Sequence, residues 1–194
     1  FIIFFITHYH ANIRQKTDSL VQKFSTNFDY EFSYYEINNL NMVEKSEIDT
    51  IIKKYLYKSI FLIPMSEISD SINDLVWVKN VNLSTNFKNK IIIEIIEHLP
   101  VGLYSFNNNL FYFSKEGKII DKFNRVFSEN FIEFRGKRSL KNANYFLNVI
   151  DDLNHPELKK IDEAIFINER RWNIKTKNGI TIYASESNLE ISLK

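Results

Sequence analysis

Histidine is the side chain in this sequence best suited to metal binding or acid–base chemistry, and its four copies are scattered. They are His8, His10, His98 and His155, and the chain has no cysteine. His8 and His10 would coordinate a metal ion together if their segment were extended. A zinc site, however, takes three or four protein ligands, and no His-Glu-x-x-His spacing occurs. The sequence therefore predicts no metal centre and no bound cofactor.

Paired carboxylates are the second pattern that supports catalysis, since glycosidases place two of them across one cleft. Glu94 and Glu97 are the best candidates, but residues three apart on a strand point to opposite faces. The adjacent pairs Asp151-Asp152 and Asp162-Glu163 lie at the ends of predicted elements, which is typical of solvated or capping groups. No Gly-x-Ser-x-Gly elbow and no glycine-rich phosphate loop occurs. The sequence thus predicts a protein that is not an enzyme, with no catalytic residue and no small-molecule substrate.

The composition indicates one large or two small globular domains. Of 194 residues, 44% are hydrophobic, which is enough to build a core. Lys and Arg together number 25, and Asp and Glu number 24. This balance lacks the clustered basic excess of nucleic-acid-binding domains, so no nucleic acid partner is expected.

The elements that position these residues fall into two blocks, of which the first covers the N-terminal half. An aromatic-rich stretch at 30–37 favours a strand, and Ser46 with an acidic residue three positions later matches a helix capping box. A second helix is expected just after Pro64, and strands are expected at 76–83 and 90–97. The order strand, helix, helix, strand, strand predicts a small sheet covered on one face by two helices.

The predicted strand at 90–97 is apolar on both sides. Ile91, Ile93 and Ile95 share one face, while Ile92 and Ile96 lie on the other. Apolar residues on both faces are typical of a strand that is buried on both sides. Both faces of this strand are therefore expected to be covered.

The second block, from residue 99 onward, is predicted to be mostly β-structure with one or two helices. A tight hairpin is expected at Gly117. Another is expected at Asn178-Gly179, with a type I′ turn because these residues adopt positive φ angles readily. Ser139 is expected to cap an amphipathic helix between the hairpins. The predicted fold class is α+β, a β-α-α-β-β domain followed by a mostly antiparallel β-domain.

Both ends of the sequence suggest a piece of a longer protein. The first six residues are apolar, whereas a helix that crosses a bilayer needs about 20 such residues. We expect residues 1–7 to be the remnant of a transmembrane helix and residues 8–29 to be a stalk. A buried strand or the apolar part of a signal peptide are the alternatives. An apolar-periodic segment reaches Lys194, so the C-terminal part of the β-domain is expected to be missing.

Several motifs occur in an order and spacing that resemble the FtsQ/DivIB family of bacterial division proteins. They are the Trp77-led strand, the junction Glu97-His98-Leu99-Pro100, the hairpin at Gly117, Phe134-Arg135-Gly136, Arg171-Trp172 and Asn178-Gly179. The sequence also departs from the family pattern. Val76 stands in place of a proline, Gly102 of an alanine, Tyr104 of a tryptophan and Ser114 of an aspartate.

This resemblance implies an FtsQ-type POTRA domain at 30–98 and a β-domain at 99–194. It implies a non-enzymatic scaffold of the divisome, anchored in the inner membrane by an N-terminal helix, with most of the chain periplasmic at the division septum. The POTRA domain would contact upstream division proteins, and the β-domain would hold the FtsB–FtsL pair. Downstream division proteins are further expected partners. The positions that match these surfaces are Asn80, Leu83 and Thr85 in the first domain, and Arg170, Arg171, Ile182 and Tyr183 in the second. The family's last helix and edge strand are expected beyond Lys194.

Two other interpretations remain open from sequence alone. POTRA domains also occur in outer-membrane assembly and secretion factors, where transmembrane β-strands follow them. An enzyme of unrecognised class is the other alternative. Trp172 is expected in the core, although tryptophan and arginine are also typical of interfaces. An exposed sheet edge would bind an added strand from a partner.

Overall fold

A computed structural model describes residues 2–124, 127, 130–185 and 188–193, with side chains described from residue 13 onward. The chain divides after Glu97 into two compact units. Each unit contains its own sheet.

The first unit begins with a long helix, which is followed by a three-stranded sheet. Two shorter helices lie between the first and second strands of that sheet in sequence. Its elements are α1 (Ile2–Asn27), β1 (Tyr34–Asn38), α2 (Lys45–Ile52), α3 (Met65–Asn73), β2 (Val78–Thr85) and β3 (Lys90–Glu97). The strand order is β1-β3-β2. β1 runs parallel to β3, and β2 runs antiparallel to it. The predicted order strand, helix, helix, strand, strand is confirmed. The first strand begins at Tyr34 and β2 begins at Val78, both later than predicted.

Isoleucine side chains form the core between the helices and the sheet. Because helical residues three or four apart share a face and strand residues two apart share a face, the isoleucines of α2, α3 and β3 converge. Each fully buried isoleucine contributes about 1.5–3 kcal/mol of transfer free energy. The fully buried members are Ile48, Ile52, Ile68, Ile72, Ile91, Ile93 and Ile95.

The opposite face of β3 is open, so the prediction that both faces of this strand are covered is wrong. Glu94 and Ile96 are exposed on it, and Ile92 is only partly buried. The helices α2 and α3 lie on the Ile91 side alone. Both backbone edges of β3 are occupied, however, because it lies between β1 and β2.

Helix α1 is attached to this unit by its last two turns. The side-chain amide of Gln22 accepts a hydrogen bond from the backbone N–H of Ser59 at 2.7 Å and donates one to the carbonyl of Tyr57 at 3.2 Å. The hydroxyls of Ser25 and Ser59, both fully buried, lie 2.6 Å apart. The last turns of the expected stalk therefore pack against the sheet domain.

The second unit is built around one seven-stranded mixed sheet. Its elements are β4 (Pro100–Phe106), β5 (Asn109–Ser114), β6 (Ile119–Lys122), β7 (Glu133–Arg135), α4 (Ser139–Leu153), β8 (Ile161–Ile167), β9 (Arg171–Thr176), β10 (Thr181–Tyr183) and α5 (Leu189–Leu193). The strand order is β10-β9-β8-β7-β4-β5-β6. β7 is parallel to both of its neighbours, and every other pair is antiparallel. The predicted α+β class, with a mostly antiparallel second domain, is confirmed.

Helix α4 packs on one face of this sheet through aromatic side chains. The ring of Phe134 meets the rings of Phe146 and Trp172 nearly at right angles, with centroids 5.5 and 5.7 Å apart. Such edge-to-face pairs contribute about 0.5–1.5 kcal/mol beyond the area they bury. Trp172 is buried in this cluster, so the prediction that it belongs to the core is confirmed.

The predictions that Ser46 and Ser139 are helix N-caps are both wrong. The N-cap of α2 is Glu44, with Ser46 already inside the helix. The N-cap of α4 is Arg138, in a left-handed conformation at φ 60°, and Ser139 is the first helical residue. Helix α2 therefore starts with a local capping box formed by Glu44 and Glu47, two residues before the predicted serine, and α4 starts after a left-handed residue.

The hairpin between β9 and β10 forms where it was predicted, but its turn is of another type. Gly179 has φ +81°, whereas Asn178 is not among the residues with positive φ. Type I′ requires positive φ at both central positions. The N–H of Gly179 donates to the carbonyl of Thr176 at 2.9 Å, which fits a type I turn followed by a left-handed glycine.

The departure from alanine at Gly102 has a packing cause that can be tested. A Cβ atom there would lie 2.7 Å from a ring carbon of Phe113 and 3.1 Å from Phe134. We expect Gly102→Ala to destabilise the protein by about 1–3 kcal/mol, as overpacked cores do. In a Phe113→Leu background the smaller side chain leaves space for the added methyl group. Gly102→Ala should therefore cost less stability in that background than in the unsubstituted protein. Urea unfolding of the four proteins measures this coupling, and additive losses would contradict it.

Candidate partner-binding surfaces

Among the residues that the structure describes, the side chains suited to metal binding do not come together. His98 is buried, and its Nε2 atom lies 3.2 Å from the ammonium of Lys118. A cation at that distance makes the ring unsuited to hold a metal ion. Within the described residues, no group of three or more metal-ligating side chains comes together. Glu94 points to solvent on the open face of β3.

Glu97 instead binds a loop of its own unit. Its carboxylate accepts hydrogen bonds at 2.9–3.0 Å from the backbone N–H groups of Asn41, Met42 and Val43. These groups lie 54–56 residues away in sequence and lead directly into α2. A carboxylate that binds several backbone donors forms charge-assisted hydrogen bonds. This structural role of the junction glutamate was not visible from local sequence.

A second polar contact joins β1 to α2. The hydroxyl of Tyr35 donates to the carboxylate of Asp49 at 2.5 Å. Burial, followed by the hydrogen bond to Asp49, raises the pKa of Tyr35 to about 12. The same hydrogen bond lowers the pKa of Asp49. The contact therefore links β1 to α2 over a wide range of pH.

The raised pKa of Tyr35 predicts a late tyrosine titration. Because the folded-state pKa exceeds the ordinary tyrosine value of 10.0, the stabilisation is fully present below pH 10 and is lost as the pH rises through about 12. Ultraviolet absorbance of phenolate, recorded against pH, should show one late-ionising group. That group should be missing in Tyr35→Phe. An unchanged titration curve in the variant would contradict the assignment.

The three predicted binding positions of the first unit all lie on or beside the edge strand β2. From the register with β3, the backbone groups of Leu83 and Thr85 point away from β3, towards the open edge. Asn80 projects its exposed side chain from the face that the helices leave open. The hydroxyl of Thr85 is engaged locally, donating to the carbonyl of Lys90 at 2.9 Å. The three residues thus share a strand but not a face.

The four predicted positions of the second unit lie around β9 and β10. Arg170 ends the turn before β9, and Arg171 opens that strand. Ile182 packs onto the aromatic core opposite Ile174. Tyr183, on the other face of β10, is 69% exposed. Of these four residues, Arg171 and Tyr183 therefore lie on strands with exposed side chains.

The outer edge of β10 carries unpaired backbone positions within the described part of the sheet. The N–H of Ala184 donates to the carbonyl of Trp172 at 2.9 Å, and the carbonyl of Ile180 accepts from Thr176 at 3.0 Å. Because backbone direction alternates along a strand, Thr181 and Tyr183 turn their N–H and C=O groups away from β9. Such an edge is a template for an added strand.

A small cavity lies beside this edge, between α4 and the segment after β10. Its volume is about 150 Å³, and it is lined by polar and aromatic side chains. Arg170, Tyr145 and Trp172 are among its lining residues. Arg170 is thus placed at a cavity rather than beside Arg171 on the sheet face.

The sheet face opposite α4 carries a row of ion pairs. Arg135 contacts Glu133 at 2.7 Å and Glu163 at 2.8 Å, and Lys175 contacts Glu163 at 2.6 Å. Hydrogen bonding to Glu133 raises the pKa of Arg135 further above its usual value. Exposed pairs of this kind contribute about 0–1 kcal/mol each.

Comparison with known proteins identifies the first unit. The sequence profile described as "POTRA domain, FtsQ-type" matches residues 32–98. This range begins just before β1 and ends one residue after β3, so it covers the complete sheet and both covering helices.

The whole chain is similar to proteins named "Cell division protein FtsQ". The protein of Rickettsia felis is 25% identical over 195 residues, which is 99% of this chain and 71% of the relative. That of Rickettsia bellii is 28% identical over 82% of this chain and 61% of the relative. That of Zymomonas mobilis is 24% identical over 82% and 50%, respectively. The chain thus spans between one half and about seven tenths of the length of these relatives.

Within the described residues, no helix is both long enough and apolar enough to cross a bilayer.

Proposed function

Because this chain belongs to the FtsQ family of cell division proteins and carries an FtsQ-type POTRA domain, we propose that it links other division proteins together. A protein of this family is a non-enzymatic component of the divisome. In our proposal the chain is held at the inner membrane by an N-terminal helix and acts in the periplasm at the septum. The POTRA domain covers residues 30–98 and the β-domain residues 99–194, after a stalk at 8–29.

The POTRA domain is proposed to contact upstream division proteins through β2. This strand lies at one edge of the first sheet, and the backbone groups of Leu83 and Thr85 point towards that open edge. Asn80 adds an exposed side chain next to that edge. An extended segment of a partner would gain main-chain hydrogen bonds there.

The β-domain is proposed to hold the FtsB–FtsL pair at β10. The observation that supports this is the outward backbone of Thr181 and Tyr183, next to the exposed ring of Tyr183. Arg171 lies on the neighbouring strand and adds a positive charge. Tyrosine and arginine beside an open edge are the residue types that dominate binding energy. The FtsQ-type match favours this interpretation over an outer-membrane assembly factor.

A matched pair of tyrosine variants tests this proposal. Tyr183 and Tyr57 are 69% and 70% exposed, but Tyr57 lies in the other unit. We expect Tyr183→Ala to weaken binding of the FtsB–FtsL pair by about ten-fold or more, as a hot-spot residue would. Tyr57→Ala should leave binding unchanged. Calorimetric titration measures both affinities, and equal affinities for the two variants would contradict the assignment of β10.

A further inference from the structure

A narrow apolar stripe runs along one side of α1 and is exposed in the described part of the structure. Ile13, Leu20 and Phe24 form it, with exposed fractions of 46%, 67% and 51%. Thr17, also exposed, lies between them. Spacings of four, three and four residues follow the 3.5-residue period of a coiled-coil seam. The stripe therefore has the pattern of a surface that packs against another helix.

The packing of the first unit leaves this stripe open. The side of α1 that contacts the domain is defined by Gln22 and Ser25, through their bonds to the segment around Ser59. Successive helical residues are rotated by about 100°, so Leu20 and Phe24 lie well away from that side. The attachment of α1 thus holds the stripe outward in a fixed orientation.

Aromatic side chains continue the stripe onto the domain. The ring of Phe24 lies 4.7 Å from that of Phe28 and 6.0 Å from that of Tyr30. Tyr30 in turn lies 5.5 Å from Phe61. Phe28 and Phe61 are each at least half exposed. Exposed aromatic groups in contact with one another are typical of binding surfaces.

Positive charges border the stripe on both sides. Lys16 and Lys23 lie along one border and Arg14 lies near the other, all exposed. Asp18, an acidic residue within this stretch, faces the docked side of the helix and is partly buried. A seam flanked by cations selects partners with anions at the flanking positions.

We propose that α1 is a docking seam for an amphipathic helix of a partner protein, apolar at heptad spacing and flanked by Asp or Glu. A second copy of this chain would bring like charges together along the seam. A membrane surface favours a broader apolar face than this a/d stripe. The proposal does not depend on the edge strands β2 and β10.

The test uses a synthetic helix of about three heptads with leucine at the seam positions and glutamate at the flanking ones. A control peptide carries lysine in place of each glutamate. The chain should bind the glutamate peptide and not the lysine peptide. Leu20→Ser should weaken binding by about ten-fold, since it removes a central apolar contact. Leu99→Ser, the same substitution at a leucine that is 77% exposed in the second unit, should have no effect.

Each other outcome overturns the proposal. Failure to bind the glutamate peptide, equal binding of both peptides, or binding unaffected by Leu20→Ser would exclude an acidic helix as the occupant. A dimer in sedimentation that Leu20→Ser abolishes would assign the stripe to a second copy. Binding to phosphatidylglycerol vesicles that depends on Leu20, without peptide binding, would assign it to a membrane surface. Because Leu20 is mostly exposed, the variant is expected to fold normally.

Discussion

Gly136→Ala is expected to destabilise the second unit by about 4 kcal/mol, because two penalties act on the same methyl group. Gly136 has φ +99°, a conformation that costs a side-chain-bearing residue about 1–3 kcal/mol. Its Cβ would also lie 2.3 Å from the carbonyl oxygen of Phe166. That carbonyl belongs to β8, which is hydrogen-bonded on both sides to β7 and β9. The strand has no room to withdraw, so overpacking adds about 1–3 kcal/mol.

Gly179→Ala is the matched control for this prediction. Gly179 also has a positive φ, +81°, but no atom lies within 4 Å of the position that an added methyl group would occupy. Only the conformational penalty applies, so a loss of about 1 kcal/mol is expected. Urea unfolding should be followed by tryptophan fluorescence in a Trp77→Phe background, where Trp172 alone reports on the second unit. Similar losses for the two variants would show that the Phe166 contact does not matter.

Glu97→Gln is expected to destabilise the first unit by about 3 kcal/mol. The carboxylate accepts from three backbone N–H groups, and hydrogen bonds to charged groups contribute about 1.5–3 kcal/mol each, without being additive. Glutamine removes the charge, and in either orientation its NH2 group faces at least the N–H of Met42, which contacts both carboxylate oxygens. The loop that leads into α2 would then lose the group that fixes its path.

Glu94→Gln provides the control for Glu97, from the same strand. Its side chain is exposed on the open face of β3, where substitutions usually change stability by less than about 0.5 kcal/mol. Unfolding in a Trp172→Phe background, with Trp77 as the reporter, measures both variants. If Glu97→Gln costs no more than Glu94→Gln, the carboxylate does not organise the loop.

The order of elements was predictable because periodicity is a local property. The isoleucines of α2, α3 and β3 recur at helical and strand spacing, and that spacing shows which of them share a face. Helix starts were not predictable in the same way. Arg138 adopts a left-handed conformation, which nothing in its side chain requires, and Glu44 replaces the expected serine cap.

The faces of the sheets were predicted less well than their strands. Ile92 and Ile96 suggested a second covered face of β3, yet that face is open. Apolar composition shows that a side chain tolerates burial, and only the fold decides whether something covers it. Likewise, the contact of Glu97 with Met42 joins residues 55 apart in sequence, so no local pattern contained it. The role in partner binding stays a prediction for all seven positions, Asn80, Leu83, Thr85, Arg170, Arg171, Ile182 and Tyr183.

The proposal that the β-domain holds the FtsB–FtsL pair by strand addition is tested most directly by amide hydrogen exchange in β10. The N–H groups of Thr181 and Tyr183 point away from β9, whereas that of Ala184 is already bonded to Trp172. Saturation with the pair should slow exchange at Thr181 and Tyr183 and leave Ala184 nearly unchanged. Unchanged exchange at Thr181 and Tyr183 in the saturated complex would contradict strand addition at this edge.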